Sequence, residues 1–380
     1  ALVAWADSGQ SLFPPYYYND ARRFHLAGLK SLAGLRGDGP WPELDLSRRG
    51  FQTLIGAVYF VAGHDPFMAQ LFLCALGGLT VWLLARLGER LVSRRAGLAA
   101  AWALAFWPSS VFHGAQLLKD NAVLPWIFAS LLGALGTGLV AALGLAAALL
   151  AGLMRPHVGL LLACFWTARR LGLLTTRRSL AAGLVLAMAA LFGASSLVDR
   201  GVQVVPQEFA GMRDFPAALT EFRVMRQRRE NADGGRVVES HLFKDARFED
   251  WGDVAAFVPK AGFYAAFMPL PGLFPLQGKL GRVLSAGENV LWLLAAALTL
   301  LVWKRRGGRG EDAFIAAYVG ISCAVWGLFD LDLGAASRHK LQYMPLLLIY
   351  AASFLPDARR RRDAPPLPLP RTERTVVYFR

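Results

Sequence analysis

Repeated apolar blocks, each close to the length needed to cross a lipid bilayer, constrain this chain more than any other feature. A helix rises about 1.5 Å per residue, so roughly 20 mostly apolar residues cover a hydrocarbon core of ~30 Å. Blocks of this kind fall at 66–87, 96–112, 122–136, 140–154, 158–168, 180–198, 289–303, 313–331 and 341–355. Residues 51–63 are too short to span alone and read as an interfacial or re-entrant helix. The chain is 55% hydrophobic and only 18% charged, where soluble domains carry roughly 25% charged residues. Its mean hydropathy is +0.38. The expected fold class is an all-α integral membrane protein of about nine or ten transmembrane helices, with interfacial helices in a first outer loop and one long outer insertion.

The formal net charge of +14 would suggest nucleic acid in a soluble protein. Here the excess sits in short clusters beside apolar blocks, where it sets topology, so no nucleic-acid partner is expected. The clusters are Arg86/Arg90/Arg94/Arg95, Arg169/Arg170/Arg177/Arg178, Lys304/Arg305/Arg306/Arg309 and Arg359–Arg362. Threading the nine blocks in alternation puts all four on one side, which is then cytoplasmic. The organisation that follows is a first outer loop at 1–50, N-terminal membrane helices at 51–198 and a polar outer insertion at 199–286. C-terminal membrane helices at 287–356 and a basic, Pro-rich cytoplasmic tail at 357–380 complete it. Residues 1–6 read as the tail of an upstream helix or signal anchor. Cys74, Cys164 and Cys323 lie singly inside apolar stretches and offer neither a disulfide framework nor metal-ligand spacing.

The outer side collects the chemically useful residues. In the first loop, Asp20 precedes Phe24, Leu26 and Ala27, so it reads either as the N-cap of an amphipathic helix or as a carboxylate general base near the membrane surface. Asp7 is a second acid in that loop. Lys119 and Asp120 form an outer turn; they either snorkel to the headgroups or join Ser109, Ser110, His113 and Gln116 along one hydrophilic cavity. Arg155, Pro156 and His157 sit between two apolar blocks, where proline breaks the helix and a cation is held at membrane depth. Asp330, Asp332, Arg338, His339 and Lys340 flank the last outer turn, and its cations either anchor headgroups or clamp a phosphate. The stretch Phe263–Pro271 is aromatic and proline-rich and is expected at the interface. No Gly-rich phosphate loop, HExxH, CxxC or GxSxG is present, which argues against nucleotide binding of the soluble type.

The order of these features resembles the GT-C class of membrane glycosyltransferases, in particular bacterial proteins like glycosyltransferase family 39 and the dolichyl-phosphate-mannose mannosyltransferases. Asp20, Phe24 and Ala27 match an acid that precedes an aromatic and a small residue in the first outer loop. Leu83–Leu87 followed by Arg94–Ala100 is similar to the second and third helices and their loop, and Trp107–Ser110 running into Leu118–Asp120 to the second outer loop. Arg155-Pro156, Phe267–Pro271 with Glu288–Trp292, and Ser337–Lys340 with Met344–Leu346 look like bacterial members. Departures are a single Asp followed by Ala in the first loop, where many members carry Asp-Glu, and Lys-Asp in the second loop where a plain acid is usual.

The resemblance implies a polyprenyl-phosphate-linked sugar donor, a glycan, lipid or protein acceptor, and inverting transfer at the outer face of a bacterial cytoplasmic membrane. It assigns catalysis to Asp20 and Asp120. Binding of the lipid phosphate or sugar falls to Arg155, His157, Arg338, His339 and Lys340, with Lys119 and Asp7 beside them. A divalent cation, Mg or Mn, is a candidate partner for Asp120. A polysaccharide polymerase or ligase using lipid-linked glycans, and a lipid-linked glycan flippase or transporter, are the competing classes. The test set by the sequence is spatial, namely whether Asp20, Asp120, Arg155 and Arg338 reach one cavity.

Overall fold

A computed structural model describes residues 19–39, 46–173, 215–234, 241–275, 280–307 and 310–355. These residues form an all-helical protein with no β-strand among them. In chain order the helices are α1 (Asn19–Arg36), α2 (Leu46–Ala62), α3 (Pro66–Leu91), α4 (Arg94–Ala105), α5 (Pro108–Gly114), α6 (Lys119–Leu135) and α7 (Gly138–Met154). They continue as α8 (Pro156–Arg170), α9 (Phe215–Gly234), α10 (Trp251–Phe267), α11 (Leu280–Arg306), α12 (Gly310–Phe329), α13 (Leu333–His339) and α14 (Pro345–Ala351). Three of them, α3, α11 from Gly281, and α12, are long and apolar enough to cross a membrane. Helix α11 presents Leu284, Leu291, Leu294 and Leu300 outward, each more than half exposed. A run of that kind suits lipid and not water.

Helix starts follow capping chemistry. Asp65 accepts from the Phe67 N–H at 2.8 Å with Pro66 in the first turn of α3, and Ser93 accepts from Ala96 N–H at 3.2 Å to begin α4. Asp250 and Asp332 cap α10 and α13 in the same way. Neighbouring helices approach through glycine. A Cβ on Gly133 of α6 would meet Gly144 Cα of α7 at 2.3 Å, and one on Gly159 of α8 would meet Gly152 Cα of α7 at 2.3 Å. Such close backbone contact is how helices gain packing energy where lipid removes the hydrophobic drive between them.

Several expected boundaries change. The block 96–112 is not one helix. Trp107 is extended (φ −66°, ψ 122°) and Pro108 opens α5, because proline cannot donate to the preceding turn and pushes its predecessor out of the helical region. The block 341–355 divides likewise into a 3₁₀ turn at Lys340–Gln342, α14 from Pro345, and a second 3₁₀ turn at Ala352–Phe354. Lys119 and Asp120 are the first turn of α6, not a loop. The insertion expected at 199–286 gives way to α11 by Leu280, and its Met268 and Leu270 are buried with Leu242 and Leu333 instead of lying at an interface. The expected span at 180–198, Asp7, Arg177, Arg178 and the tail from 357 lie outside the described residues. The three cysteines are free.

Candidate functional site

The cavity is built at one end of the helices. The N-terminus of α6 brings Lys119 and Asp120, and the α7–α8 junction brings Arg155 and His157. The end of α12 and the short α13 bring Trp326, Arg338 and His339. The far end of α8 carries Arg169 and Arg170, and Lys304–Arg306 closes α11 just before α12 begins. One end of these helices is therefore dominated by basic residues, with Glu311 and Asp312 at the start of α12 paired to Arg90 and Arg306, while the other holds acids, histidines and cations around a cavity.

At that second end a cavity of about 270 Å³ is lined by Asp20, Lys119, Asp120, Arg155, His157, Arg338 and His339. Phe24, Phe222, Val325, Trp326, Phe329 and Ala335 supply its apolar wall. Two ion pairs cross it. Arg338 donates to Asp20 Oδ2 at 3.1 Å, joining the last outer turn to α1. Arg155 Nη2 donates to Asp120 Oδ1 at 2.6 Å, and both side chains are buried. The second pair is extended: Arg155 Nη1 lies 2.9 Å from His339 Nε2, and His339 Nδ1 lies 2.7 Å from Asp330 Oδ1. The His339 ring stacks on Trp326 with centroids 3.8 Å apart, and His157 meets the same indole edge-on at 5.4 Å.

These surroundings give the two carboxylates different roles. Burial by itself raises the Asp120 carboxyl, but the cations around it, Arg155 foremost, outweigh burial and hold it well below the usual carboxylate range. Asp120 is a permanent anion locked to Arg155. The Asp20 side chain is 44% exposed and pairs with Arg338. Asp20 is thus the carboxylate with room for a substrate proton. Lys119 is half-buried in the wall, and burial with Arg155 beside it lowers its amine to about 8.

Among the described residues, Arg155 Nε, His157 Nε2 and Asp330 Oδ2 are buried polar atoms in or behind this cavity for which no hydrogen-bond partner is found. Buried polar groups are nearly always paired, so unfilled ones at a cavity mark capacity for a ligand or water.

Of the residues singled out from sequence, Asp20, Lys119, Asp120, Arg155, His157, Arg338 and His339 line this cavity, whereas Ser109, Ser110, His113 and Gln116, expected along it, do not, and neither does Lys340. Lys340 is fully buried elsewhere, donating to Asn289 Oδ1 at 2.5 Å near Glu288, so it is no part of the expected cation clamp. Asp7 lies outside the described residues. Asp120 was expected as a metal ligand or acceptor guide, yet Arg155 takes its Oδ1. Among the described residues no three His, Cys, Asp or Glu side chains form a group able to hold a metal ion. Missing from the sequence-based set are Asp330 in its role behind His339, the indole of Trp326, and Phe222. Trp326 and Asp330 share one helical face four residues apart, a signal that was available. Phe222 comes from the insertion, packs against Phe329 at 5.9 Å, and had no such signal.

Comparisons with protein-family models, curated proteins and solved structures find no match to this chain.

Proposed function

We propose that this protein is a membrane glycosyltransferase of the GT-C kind, moving a sugar from a polyprenyl-phosphate carrier to an acceptor hydroxyl. The reaction is placed at the outer face of a bacterial cytoplasmic membrane, in a chain of about nine or ten membrane helices. The observation that carries the reading is that Asp20, Arg155 and Arg338, far apart in sequence, line one cavity with an apolar wall. An accessible carboxylate opposite guanidinium groups is what base-assisted displacement of a phosphate requires.

In the proposed step Asp20 removes the proton from the acceptor hydroxyl as its oxygen attacks the anomeric carbon. The bond from that carbon to the phosphate oxygen breaks, and the electron pair leaves with the lipid phosphate. Arg155, Arg338 and Lys119 receive the charge that develops on the leaving group. Attack opposite the leaving group inverts the anomeric centre. Phe24, Phe222 and Trp326 offer faces for the sugar and the first isoprene units.

Charge favours a singly charged donor over a diphosphate-linked glycan. Lys119, Arg155 and Arg338 face Asp20 and Asp120 in the cavity, so three cations against two carboxylates leave one net positive charge. A sugar phosphodiester neutralises it; a diphosphate leaves uncompensated negative charge in an apolar surround. The experiment that tests the reading is transfer of radiolabelled sugar from defined polyprenyl-phosphate sugars by the purified protein in proteoliposomes. Transfer that requires Asp20 and ignores diphosphate donors is the expected result. Loss of no activity in Asp20→Asn, with normal expression, removes Asp20 as the base.

A further inference from the structure

The chain Asp330–His339–Arg155 leads into the cavity, and its hydrogen-bond directions are not free. A guanidinium only donates and a carboxylate only accepts. Arg155 Nη1 donates across 2.9 Å, so His339 Nε2 must be the acceptor and carries no proton. The proton then sits on Nδ1, where the ring donates to Asp330 Oδ1 at 2.7 Å. The stack on Trp326 fixes the plane of the ring between these partners.

We infer that Asp330 and His339 are positioning residues for Arg155: the carboxylate holds His339 as the neutral Nδ1–H tautomer, whose Nε2 lone pair aims the guanidinium into the cavity. The role as a phosphate seat rests on the function proposed above. Without His339, Asp120 would be the one side-chain hydrogen-bond partner left to Arg155 among the described residues, with the Trp326 ring 5.8 Å away, and a single hydrogen bond leaves a planar five-donor group free to rotate about it. With His339 protonated, two donors and two positive charges would face each other at the Nε2 side, and Arg155 would lose that contact. The titratable and charged groups facing the ring are Asp330 just past the end of α12, Arg155 and His157 from the α7–α8 junction, Asp120 from α6 at 3.9 Å, and His113 from α5. Burial lowers the His339 pKa and Asp330 opposes it, the net direction being down, in keeping with a neutral ring. Acid is therefore predicted to release Arg155, and higher pH to hold it.

The test pairs spectroscopy with binding on the full-length protein in detergent or nanodiscs. Nitrogen and carbon shifts of labelled histidine, with His339 assigned by its loss in His339→Gln or its displacement in Asp330→Asn, are expected to show Nδ1 protonated and Nε2 bare at neutral pH. The binding probe is dodecyl ethyl phosphate, a diester whose charge is constant across the range. His339→Ala is expected to weaken it by about 100-fold, the cost of a misplaced binding group. His339→Gln keeps one amide donor and one acceptor but cannot charge. It is expected to restore most of the affinity and to abolish the acid-side weakening seen in the wild type. An Nε2–H or doubly protonated ring at neutral pH overturns the inference. So does an acid limb that His339→Gln retains, or undiminished binding by His339→Ala. A wild type that binds no diester overturns the lipid-phosphate reading together with this seat, whereas one that binds while any of the preceding results holds overturns the seat alone.

Discussion

Two Arg–Asp pairs with buried carboxylates stand at opposite ends of the helices, and they are finished differently. At the basic end Arg306 Nε donates to Asp312 Oδ2 at 2.9 Å, Tyr350 donates to Asp312 Oδ1 at 3.1 Å, and Arg306 Nη2 donates to the Leu91 carbonyl at 2.8 Å. Both oxygens of that carboxylate are used. At the cavity end the Asp120–Arg155 pair is shorter, yet Arg155 Nε, His157 Nε2 and Asp330 Oδ2 are left unpartnered around it. A saturated pair ties α11, α12 and α14 together; an unsaturated one has capacity left for a ligand. The difference teaches that burial of charge does not by itself mark function in this protein. What marks it is the residue of unmet hydrogen bonding beside an opening.

The largest effect expected from this contrast is on the proposed sugar transfer. Asp20→Asn is predicted to lower sugar transfer by about 10²- to 10⁴-fold, the range for loss of a general base. Its thermal stability should hardly change, because a half-exposed pair such as Asp20–Arg338 contributes about 0–1 kcal/mol. Transfer assays and melting curves on the same preparation check both halves. A variant that loses stability along with activity would make Asp20 a structural residue like Asp312.

Asp312→Ala is the mirror experiment. Removing one member of a buried pair leaves the other uncompensated, with a cost of about 3–5 kcal/mol, shaded downward here because Arg306 is 16% exposed. The expectation is a large drop in melting temperature and yield, with donor affinity unchanged in whatever fraction remains folded. A shift in donor KM at constant stability would join the two ends functionally and dissolve the contrast.

How much of this was legible beforehand depends on how each residue reports itself. Charges in apolar sequence stand out, so Lys119, Asp120, Arg155 and Arg338 were found, and Pro156 made Arg155 conspicuous. Direction was not legible. Arg338, His339 and Lys340 are consecutive, and about 100° of helical rotation per residue sends them respectively to Asp20, Arg155 and Asn289. No count of cations could have excluded Lys340. Hydropathy located the apolar blocks but ran across Pro108 and Pro345, because averaging over a window hides a single missing N–H. Phe222 reaches the cavity from the insertion through tertiary packing alone, and nothing local to it signals that. The membrane reading rests on three helices of sufficient length.

A mid-sized effect is expected from the scaffold that both ends share. Gly133→Ala places a Cβ 2.3 Å from Gly144 Cα and 2.8 Å from the Val140 carbonyl, all backbone, so α6 and α7 must separate. The cost is predicted at about 1–3 kcal/mol. Because α6 carries Asp120 and α7 leads into Arg155, donor KM should rise as well, unlike in Asp312→Ala. Unaltered KM in a destabilised Gly133→Ala protein would show that the cavity tolerates movement of its supports.

The smallest effect concerns Lys119, whose amine burial lowers to about 8. An anion is held best while that amine is charged, so the contribution of Lys119 to binding should be full below this value and be lost as pH rises through it. An ordinary lysine would keep its charge for two further units. Losing one charge-assisted contact is worth about 1.5–3 kcal/mol, or roughly 10-fold or more in affinity. Titrating dodecyl ethyl phosphate against wild type and Lys119→Arg isolates the contribution, since guanidinium stays charged throughout and should flatten the alkaline limb. Lys340 is also lowered to about 8 but points to Asn289, so Lys340→Arg should leave the limb in place. If it is Lys340→Arg that flattens the limb, the cavity's net charge has been assigned to the wrong lysine, and the preference for a singly charged donor loses its basis.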